Sequence, residues 1–218
     1  MQKHVAANPR IRYVKIENKG IAANTNAAAR LAQGEYLALA DHDDILAPHA
    51  IYCMGKELQK TGADFAYSDE ALFRKSPKTA HVAHFKPDYA PEYLMACNYI
   101  CHLAVFRKSL FEAIGGERPE CDGAQDHDLF LRLIDAMQAK DANAAPLHIP
   151  QVLYYWRVHA ASTSGGTAAK PYVEKAAQKA VADHLAATGR QGRVEPGKFP
   201  GTCHVCLLYT SDAADEGL

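Results

Sequence analysis

A short apolar segment that ends in a group of carboxylates is the feature that most constrains this chain. Residues 35–40 read Glu-Tyr-Leu-Ala-Leu-Ala and lead directly into Asp41, Asp43 and Asp44. An apolar run of this length after Gly34 is typical of a strand buried inside a sheet. The carboxylates favour a Mg²⁺ or Mn²⁺ site at the strand end, because these ions prefer oxygen ligands. The alternative is a solvated turn in which Asp44 helps to begin the next helix.

Strands and helices alternate along the first third of the chain. The predicted strands are residues 11–16, 35–40 and 63–67, and the predicted helices are 21–33, which Gly34 would cap, and 48–60, which ends at Gly62. This order predicts an α/β fold with a mostly parallel sheet and helical crossovers. Ligands of such sheets bind beyond the carboxyl ends of the strands. Both the Asp41–Asp44 segment and Asp69-Glu70 follow such ends, which favours a binding role for each.

The remaining residues predict further elements and one long loop. Residues 71–92 are rich in Lys, His and Pro, which is typical of a surface loop or flap. Strands are predicted at 103–107 and 151–158, and helices at 109–114, 125–137 and 171–187.

Composition limits the classes of function. The chain has 218 residues, a formal net charge of −1 and 48% hydrophobic residues, so it can bury one sizeable core and has no global field for nucleic acid or an anionic membrane. No apolar stretch approaches the roughly 20 residues that span a bilayer. The six cysteines lack the spacing of a zinc site, and Cys203 and Cys206 form the one close pair. We expect reduced thiols in a cytoplasmic protein.

A second carboxylate lies at the start of the helix predicted at 125–137. Asp126 precedes Leu129 and Phe130 by three and four residues, so it shares their inward side. An Asp in a first helical turn is stabilised by the helix dipole, and that purely structural role is common. Above a cleft, the same group can take a proton from an alcohol, as a general base does.

Several segments together resemble glycosyltransferase family 2 and its GT-A fold. The pieces, in order, are Glu17-Asn18-Lys19-Gly20 with Asn26-Ala27-Ala28, Gly34-Glu35-Tyr36 through Asp41-His42-Asp43-Asp44, Gly115-Gly116 with Gly123 through Leu129, and Tyr155-Trp156-Arg157-Val158-His159 with Ser162. Three further pieces resemble a subgroup of large tandem enzymes of bacterial O-antigen and rhamnan assembly: Tyr67-Ser68-Asp69-Glu70, Phe85-Lys86-Pro87-Asp88 and Asn98-Tyr99-Ile100. The resemblance covers about residues 10 to 205 and is specific as a joint pattern.

The resemblance implies a role for each matched residue. Asp41 and Asp43 would hold Mn²⁺ or Mg²⁺ against the diphosphate of a nucleotide sugar, with Asp44 in support. Asp126 would deprotonate the acceptor hydroxyl, which attacks the anomeric carbon with inversion. Arg157 and His159 would reach the diphosphate or the metal, or else cap the strand end. The residues expected to contact donor or acceptor sugar are Asp69, Glu70, Gln125 and Asn98. His42, His102 and His127 are expected to be bystanders.

The implied activity is hexosyl or deoxyhexosyl transfer in bacterial surface polysaccharide assembly. The donor would be a UDP-, dTDP- or GDP-linked sugar, and the acceptor a glycan or lipid-linked glycan. Nucleic acid is not expected as a partner. The location would be cytoplasmic, at the inner face of the membrane in the parent protein.

Departures from the family pattern predict a partial domain. The family's first strand and the segments that cradle the nucleoside are missing, so residues 1–190 are expected to form a GT-A domain that lacks its first strands. Residues 191–205 resemble a linker toward another glycosyltransferase module. From Cys206 the chain resembles a translated sequencing adapter, so residues 206–218 are expected to be a non-native tail.

Three alternatives to sugar transfer stay open. A fragment without its nucleoside-binding strands would keep only a binding or scaffold function. A nucleotidyltransferase also combines such a sheet with metal carboxylates, but the chain lacks the Gly-rich phosphate loop and N-terminal lysine that it needs. A metal hydrolase built on the histidines is the weakest alternative, because no ligand spacing of the H-x-x-x-H kind is present.

Overall fold

The computed structural model describes residues 2–158 and 171–208. Its helices are α1 (Gln2–Ala7), α2 (Ile21–Leu31), α3 (Ala50–Thr61), α4 (Pro91–Ala96), α5 (Lys108–Ala113), α6 (Gln125–Gln138) and α7 (Pro171–Ala187). Its strands are β1 (Tyr36–Leu39), β2 (Ile45–Leu46), β3 (Phe65–Phe73), β4 (Val82–His84), β5 (Ala104–Arg107), β6 (Leu147–Arg157), β7 (Gly192–Pro196) and β8 (Cys203–Leu207). Within these residues, no helix is long and apolar enough to cross a bilayer.

The main sheet has the strand order β1-β5-β3-β6-β2, with β4 paired to β3. β3 and β6 are parallel, whereas β5 is antiparallel to both β1 and β3. β1, β3 and β6 therefore run in one direction, as the α/β class predicts. The β3–β4 and β2–β6 pairs are also antiparallel, so the sheet is mixed in its pairings. A buried strand has the same apolar pattern whichever way its neighbour runs, so the sequence alone does not reveal the insertion of β5.

Helices cover both faces of the sheet. On one face, Phe65 of β3 packs against Phe130 of α6 with ring centroids 5.4 Å apart, and α7 adds a further layer. On the other face, Met54 and Leu58 of α3 pack with Leu153 of β6. β3 is nearly all buried because it lies between these two layers.

Three local predictions need correction. The strand predicted at 11–16 is not formed: within the described residues no strand pairs with this segment, and Tyr13 is 49% exposed. Gly34 does not cap α2, because the chain is already extended at Ala32. The loop predicted at 71–92 is partly sheet, since β3 extends to Phe73 and β4 pairs back onto it.

Other local predictions are confirmed. Gly62 ends α3 in the left-handed conformation, with a φ of 71° that favours glycine. The helices predicted at 109–114, 125–137 and 171–187 agree with α5, α6 and α7 to within one residue at each end.

The segment predicted as a linker contains a hairpin. β7 and β8 pair antiparallel, and Cys203 is buried in the same core cluster as α6 and α7. Cys206 pairs with Arg193 inside this hairpin, so the predicted tail begins within β8. The predicted domain boundaries stay predictions, and residues 209–218 lie outside the described residues.

We expect Phe130→Ala to lower the free energy of unfolding by about 3–5 kcal/mol, because it removes a fully buried ring between β3 and α6. Urea denaturation measures the change. Phe199→Ala is the control, since that ring is 66% exposed and its removal should cost less than about 0.5 kcal/mol. Equal losses in the two variants would contradict the packing of α6 on the sheet.

Candidate active site

A cleft of about 1480 Å³ lies between β1, the segment 83–87 and the start of α6. Its lining includes both Asp41 and Asp126, which are far apart in the sequence. Glu70, Asn98 and Gln125 also line it. The volume exceeds the roughly 300–1,000 Å³ of a typical small-molecule site, so the cleft has room for two substrates.

Tyr154 on β6 organises the turn that follows β1. Its hydroxyl accepts the Asp41 N–H at 3.0 Å and donates to Asp44 Oδ2 at 2.7 Å. The backbone N–H of Arg157 donates to Asp44 Oδ1 at 2.7 Å, and its Nε donates to the Asp43 carbonyl at 2.6 Å. The acidic turn is therefore tied to β6 and is not a free solvated loop.

His102 completes a group of three side chains that could hold a metal ion. Its Nε2 lies 3.6 Å from Asp41 Oδ2, and one ligand atom each from Asp41, Asp44 and His102 lie within 4.8 Å of one another. The imidazole is packed against Tyr154 and Trp156, at centroid distances of 4.7 and 5.5 Å. Its enclosed Nδ1 has no hydrogen-bond partner in the described part of the chain.

Two carboxylates and one imidazole fit a divalent cation of the Mn²⁺ type, since carboxylates suit Mg²⁺ and Mn²⁺ while imidazole favours transition metals. The grouping differs from the predicted pair of Asp41 and Asp43. The Asp43 carboxylate lies outside this group, 3.9 Å from His42.

Neighbouring charges and burial shift the pKa values of Asp41, Asp44 and His102. The neighbouring His102 lowers the pKa of Asp41, while burial raises the pKa of Asp44 despite its hydrogen bonds from Arg157 and Tyr154. Burial disfavours the charged form of His102, but Asp41 and the other carboxylates around it outweigh that and raise its pKa. A negative field thus favours a cation at this point of the cleft.

Asp126 lies in the first turn of α6, where its Oδ1 accepts the N–H of His127 at 2.9 Å. Gln125 turns back instead, and its Oε1 accepts the N–H of Gly123 at 2.8 Å. Gly123 has a φ of 97°, and a Cβ there would lie 2.6 Å from the Tyr172 ring, so a side chain would push the start of α6 away from α7. The glycine thereby allows the start of α6, which carries Asp126, to pack closely against α7.

The start of α2 and the segment before α6 hold each other in place. Asp122 accepts the N–H groups of Ile21 and Ala22 at 3.2 and 2.9 Å, so it caps a helix that has no local side-chain cap. Asn26 exchanges two hydrogen bonds with the backbone of Glu117, at 2.8 and 2.9 Å. These contacts fix the wall of the cleft that carries Asp126.

The other predicted site residues have varied surroundings. Asp69 is buried outside the cleft lining and binds His148 and the backbone N–H of Lys86, both at 2.9 Å. Asn98 accepts the Cys101 N–H at 3.3 Å. Arg157 ties down the acidic turn, which is the capping role left open by the sequence. His159 lies outside the described residues, as does Ser162.

The sequence model of glycosyl transferase family 2 matches residues 1–115. Two relatives align over most of the chain: an uncharacterised protein of Sinorhizobium fredii, 36% identical over 92% of this chain, and the O-antigen biosynthesis protein RfbC of Myxococcus xanthus, 31% identical over 85% of it. The chain belongs to glycosyl transferase family 2. It spans 22% and 14% of the length of these two relatives.

Solved structures show that the family 2 chain has the GT-A fold. Residues 1–349 of TarS of S. aureus in complex with UDP-GlcNAc superpose with a TM-score of 0.61 at 10% identity, over 84% of this chain and 53% of that chain. The mannosyltransferase PcManGT of Pyrobaculum calidifontis, in complex with GDP-Man and Mn²⁺, superposes with a TM-score of 0.51 at 20% identity, over 92% of this chain and 53% of its own. The predicted family and the α/β, GT-A fold class are confirmed.

The sequence did not predict His102 as a site residue, although the pairing of β5 with β1 in the family 2 chain indicates its place. β5 is antiparallel to β1, with Ala104 opposite Leu39. His102 is two residues before Ala104 and Asp41 is two residues after Leu39, so this register places them side by side. The beginning of an antiparallel strand is at the same sheet edge as the end of its neighbour. Knowing the direction of β5 would have placed His102 in the site.

Glu117 gives the cleft wall a pH-dependent stability. Burial raises the pKa of Glu117 to about 7 from an ordinary value of 4.5, and its Oε2 is enclosed without a hydrogen-bond partner in the described residues. The native state keeps a proton that the unfolded chain releases, so the free energy of unfolding falls as pH rises from about 4.5 to 7.

We expect Glu117→Gln to remove this fall, which amounts to about 3 kcal/mol, because glutamine does not titrate. Urea denaturation at several pH values between 4 and 8 measures it. Glu120→Gln, exposed on the same segment, should keep the wild-type slope. An unchanged slope in Glu117→Gln would contradict a protonated Glu117.

Proposed function

We propose that this chain is the catalytic part of a metal-dependent, inverting glycosyltransferase that moves a sugar from a nucleotide-sugar donor to a glycan hydroxyl. The observation that carries the proposal is the shared cleft of Asp41 and Asp126. Asp41 belongs to a group of side chains that could hold a cation, and Asp126 lines the same cleft from the first turn of α6. A transfer between two bound substrates needs this separation of roles.

The cation would be Mn²⁺ or Mg²⁺, and Asp41, Asp44 and His102 would hold it. When bound, it supplies Lewis-acid stabilisation of the departing nucleoside diphosphate. The imidazole among the ligands favours Mn²⁺ over Mg²⁺. Hydrogen bonds from the Arg157 N–H and the Tyr154 hydroxyl hold the Asp44 carboxylate close to Asp41 and His102.

Asp126 acts as the general base. It accepts the proton of the acceptor hydroxyl while that oxygen forms a bond to the anomeric carbon and the bond from that carbon to the diphosphate breaks. Attack from the face opposite the leaving group gives inversion. The hydrogen bond from the His127 N–H to Asp126 Oδ1 at 2.9 Å holds the carboxylate at the start of α6, where it lines the cleft.

The setting we propose is bacterial surface polysaccharide assembly, at the cytoplasmic face of the membrane. RfbC is named for O-antigen biosynthesis, and TarS and PcManGT bind UDP-GlcNAc and GDP-Man, which supports a UDP-, dTDP- or GDP-linked donor. The acceptor is a glycan or lipid-linked glycan. The chain spans 22% and 14% of the length of the two relatives, which supports a longer parent protein. In that parent we propose a further glycosyltransferase module.

We expect Asp126→Asn to lower turnover at least a hundredfold, since it removes the base while keeping the shape of the side chain. Release of nucleoside diphosphate from UDP-GlcNAc or GDP-mannose in the presence of Mn²⁺ measures turnover, and calorimetry with the nucleoside diphosphate measures donor-site affinity, which should stay within about twofold. Asp141→Asn, exposed beyond the other end of α6, is the control. Substantial turnover by Asp126→Asn would remove Asp126 from the base role.

A second measurement distinguishes the two candidate metal groups. We expect His102→Gln and Asp44→Asn each to weaken Mn²⁺ binding at least tenfold in calorimetry of the 218-residue chain, because each removes a ligand. Asp43→Asn should change the affinity less than threefold. The reverse ranking would favour the pair Asp41 and Asp43, and no Mn²⁺ or nucleotide binding by the wild-type chain would favour a scaffold function without catalysis.

A further inference from the structure

Three segments that resemble the tandem-enzyme subgroup meet behind His102. They are Tyr67 to Glu70 on β3, Phe85 to Asp88 after β4, and Asn98 to Ile100 before β5. Their meeting point is an ion pair between Lys86 and Glu70, with Nζ 3.5 Å from Oε2 and side chains 3% and 2% exposed. Lys86 and Glu70 are not among the proposed metal ligands Asp41, Asp44 and His102, and neither is the proposed base.

The ion pair holds both backbone polar groups of His102. Glu70 Oε2 accepts the His102 N–H at 3.3 Å, and Lys86 Nζ donates to the His102 carbonyl. Lys86 also donates to the carbonyl of Ile100 at 2.6 Å, so the chain on either side of Cys101 is held by one ammonium group. The second oxygen of Glu70 binds His84 at 3.0 Å.

Stability is a poor explanation for this pair. Burial of two charges costs several kcal/mol per ion, and replacing such a pair with well-packed apolar residues is often neutral or stabilising. The pair adds little stability, but it holds the backbone of His102 in place. Its role is therefore explained by the imidazole that this residue carries.

We infer that the Glu70–Lys86 pair is a positioning unit that fixes the His102 peptide so that its imidazole faces Asp41 and Asp44. The inference rests on the proposed metal role of His102. It assigns Glu70 to the support of a ligand and not to a sugar, and it gives Lys86 a role that the sequence did not suggest. Support of a ligating imidazole by outer groups commonly changes metal affinity 10- to 100-fold.

The test compares two variants with a matched control in the 218-residue chain. Lys86→Met keeps the length of the side chain and removes its charge, whereas Glu70→Gln/Lys86→Met removes both charges and leaves no unpaired buried carboxylate if the single variant unfolds. Glu57→Gln/Lys60→Met removes a surface pair on α3, where the Lys60 side chain is 72% exposed and that of Glu57 is 30% exposed.

Two readouts separate positioning from metal binding. The first is the NMR resonance of the His102 Cε1–H in the metal-free chain, identified by its loss in His102→Gln; it reports the place of the imidazole beside the Tyr154 and Trp156 rings. The second is the Mn²⁺ dissociation constant from calorimetry. We expect both Lys86 variants to move or broaden the His102 resonance and to weaken Mn²⁺ binding 10- to 100-fold, with no change in the control.

An unmoved His102 resonance in the folded variants would overturn the inference, and so would a moved resonance with unchanged Mn²⁺ affinity. A moved resonance in a chain whose wild type binds no Mn²⁺ would support the positioning of His102 and refute the metal part of the proposed function. The two failures are therefore distinguishable.

Discussion

The antiparallel pairing of β5 with β1 is the constraint on which the site depends. The register that places Ala104 opposite Leu39 brings the chain before β5 to the edge where β1 ends. His102 is thereby carried to Asp41, although the two residues are in different parts of the sequence. Because β5 also pairs with β3, the same strand brings Glu70 behind His102.

Around this point, several buried polar groups are hydrogen-bonded to one another. Tyr154, with a pKa raised by burial, keeps its proton and bridges the backbone of Asp41 and the carboxylate of Asp44. Burial works against the charge of Glu70, yet His84 and Lys86 outweigh it and lower its pKa. A buried polar network of this kind makes the geometry of the cleft wall specific, since moving one member leaves its partners unsatisfied.

The opposite wall of the cleft, which carries Asp126, depends on hydrogen bonds between side chains and the backbone of distant segments. Asp122 and Asn26 join α2 to the chain before α6, so the family's first and third matched pieces are one structural unit. Gly123 allows α7 to pack against this unit. These contacts explain why Asp126 in the first turn of a helix faces the cleft and why Asp128, two residues on, does not: Asp128 is buried and bound by Arg118 and Arg132.

The sequence by itself determined the α/β class, most helices and the family, and it proposed Asp41 and Asp126 as site residues, because periodicity, strand-end carboxylates and helix starts are local patterns. It did not determine whether residues 11–16 pair in a sheet, which way β5 runs, or that Asp41, Asp44 and His102 lie together. Only the tertiary structure decided these, because pairing partner and register are properties of two segments at once. Strand pairing brought His102 to Asp41, and the bonds from β6 set the orientation of Asp44.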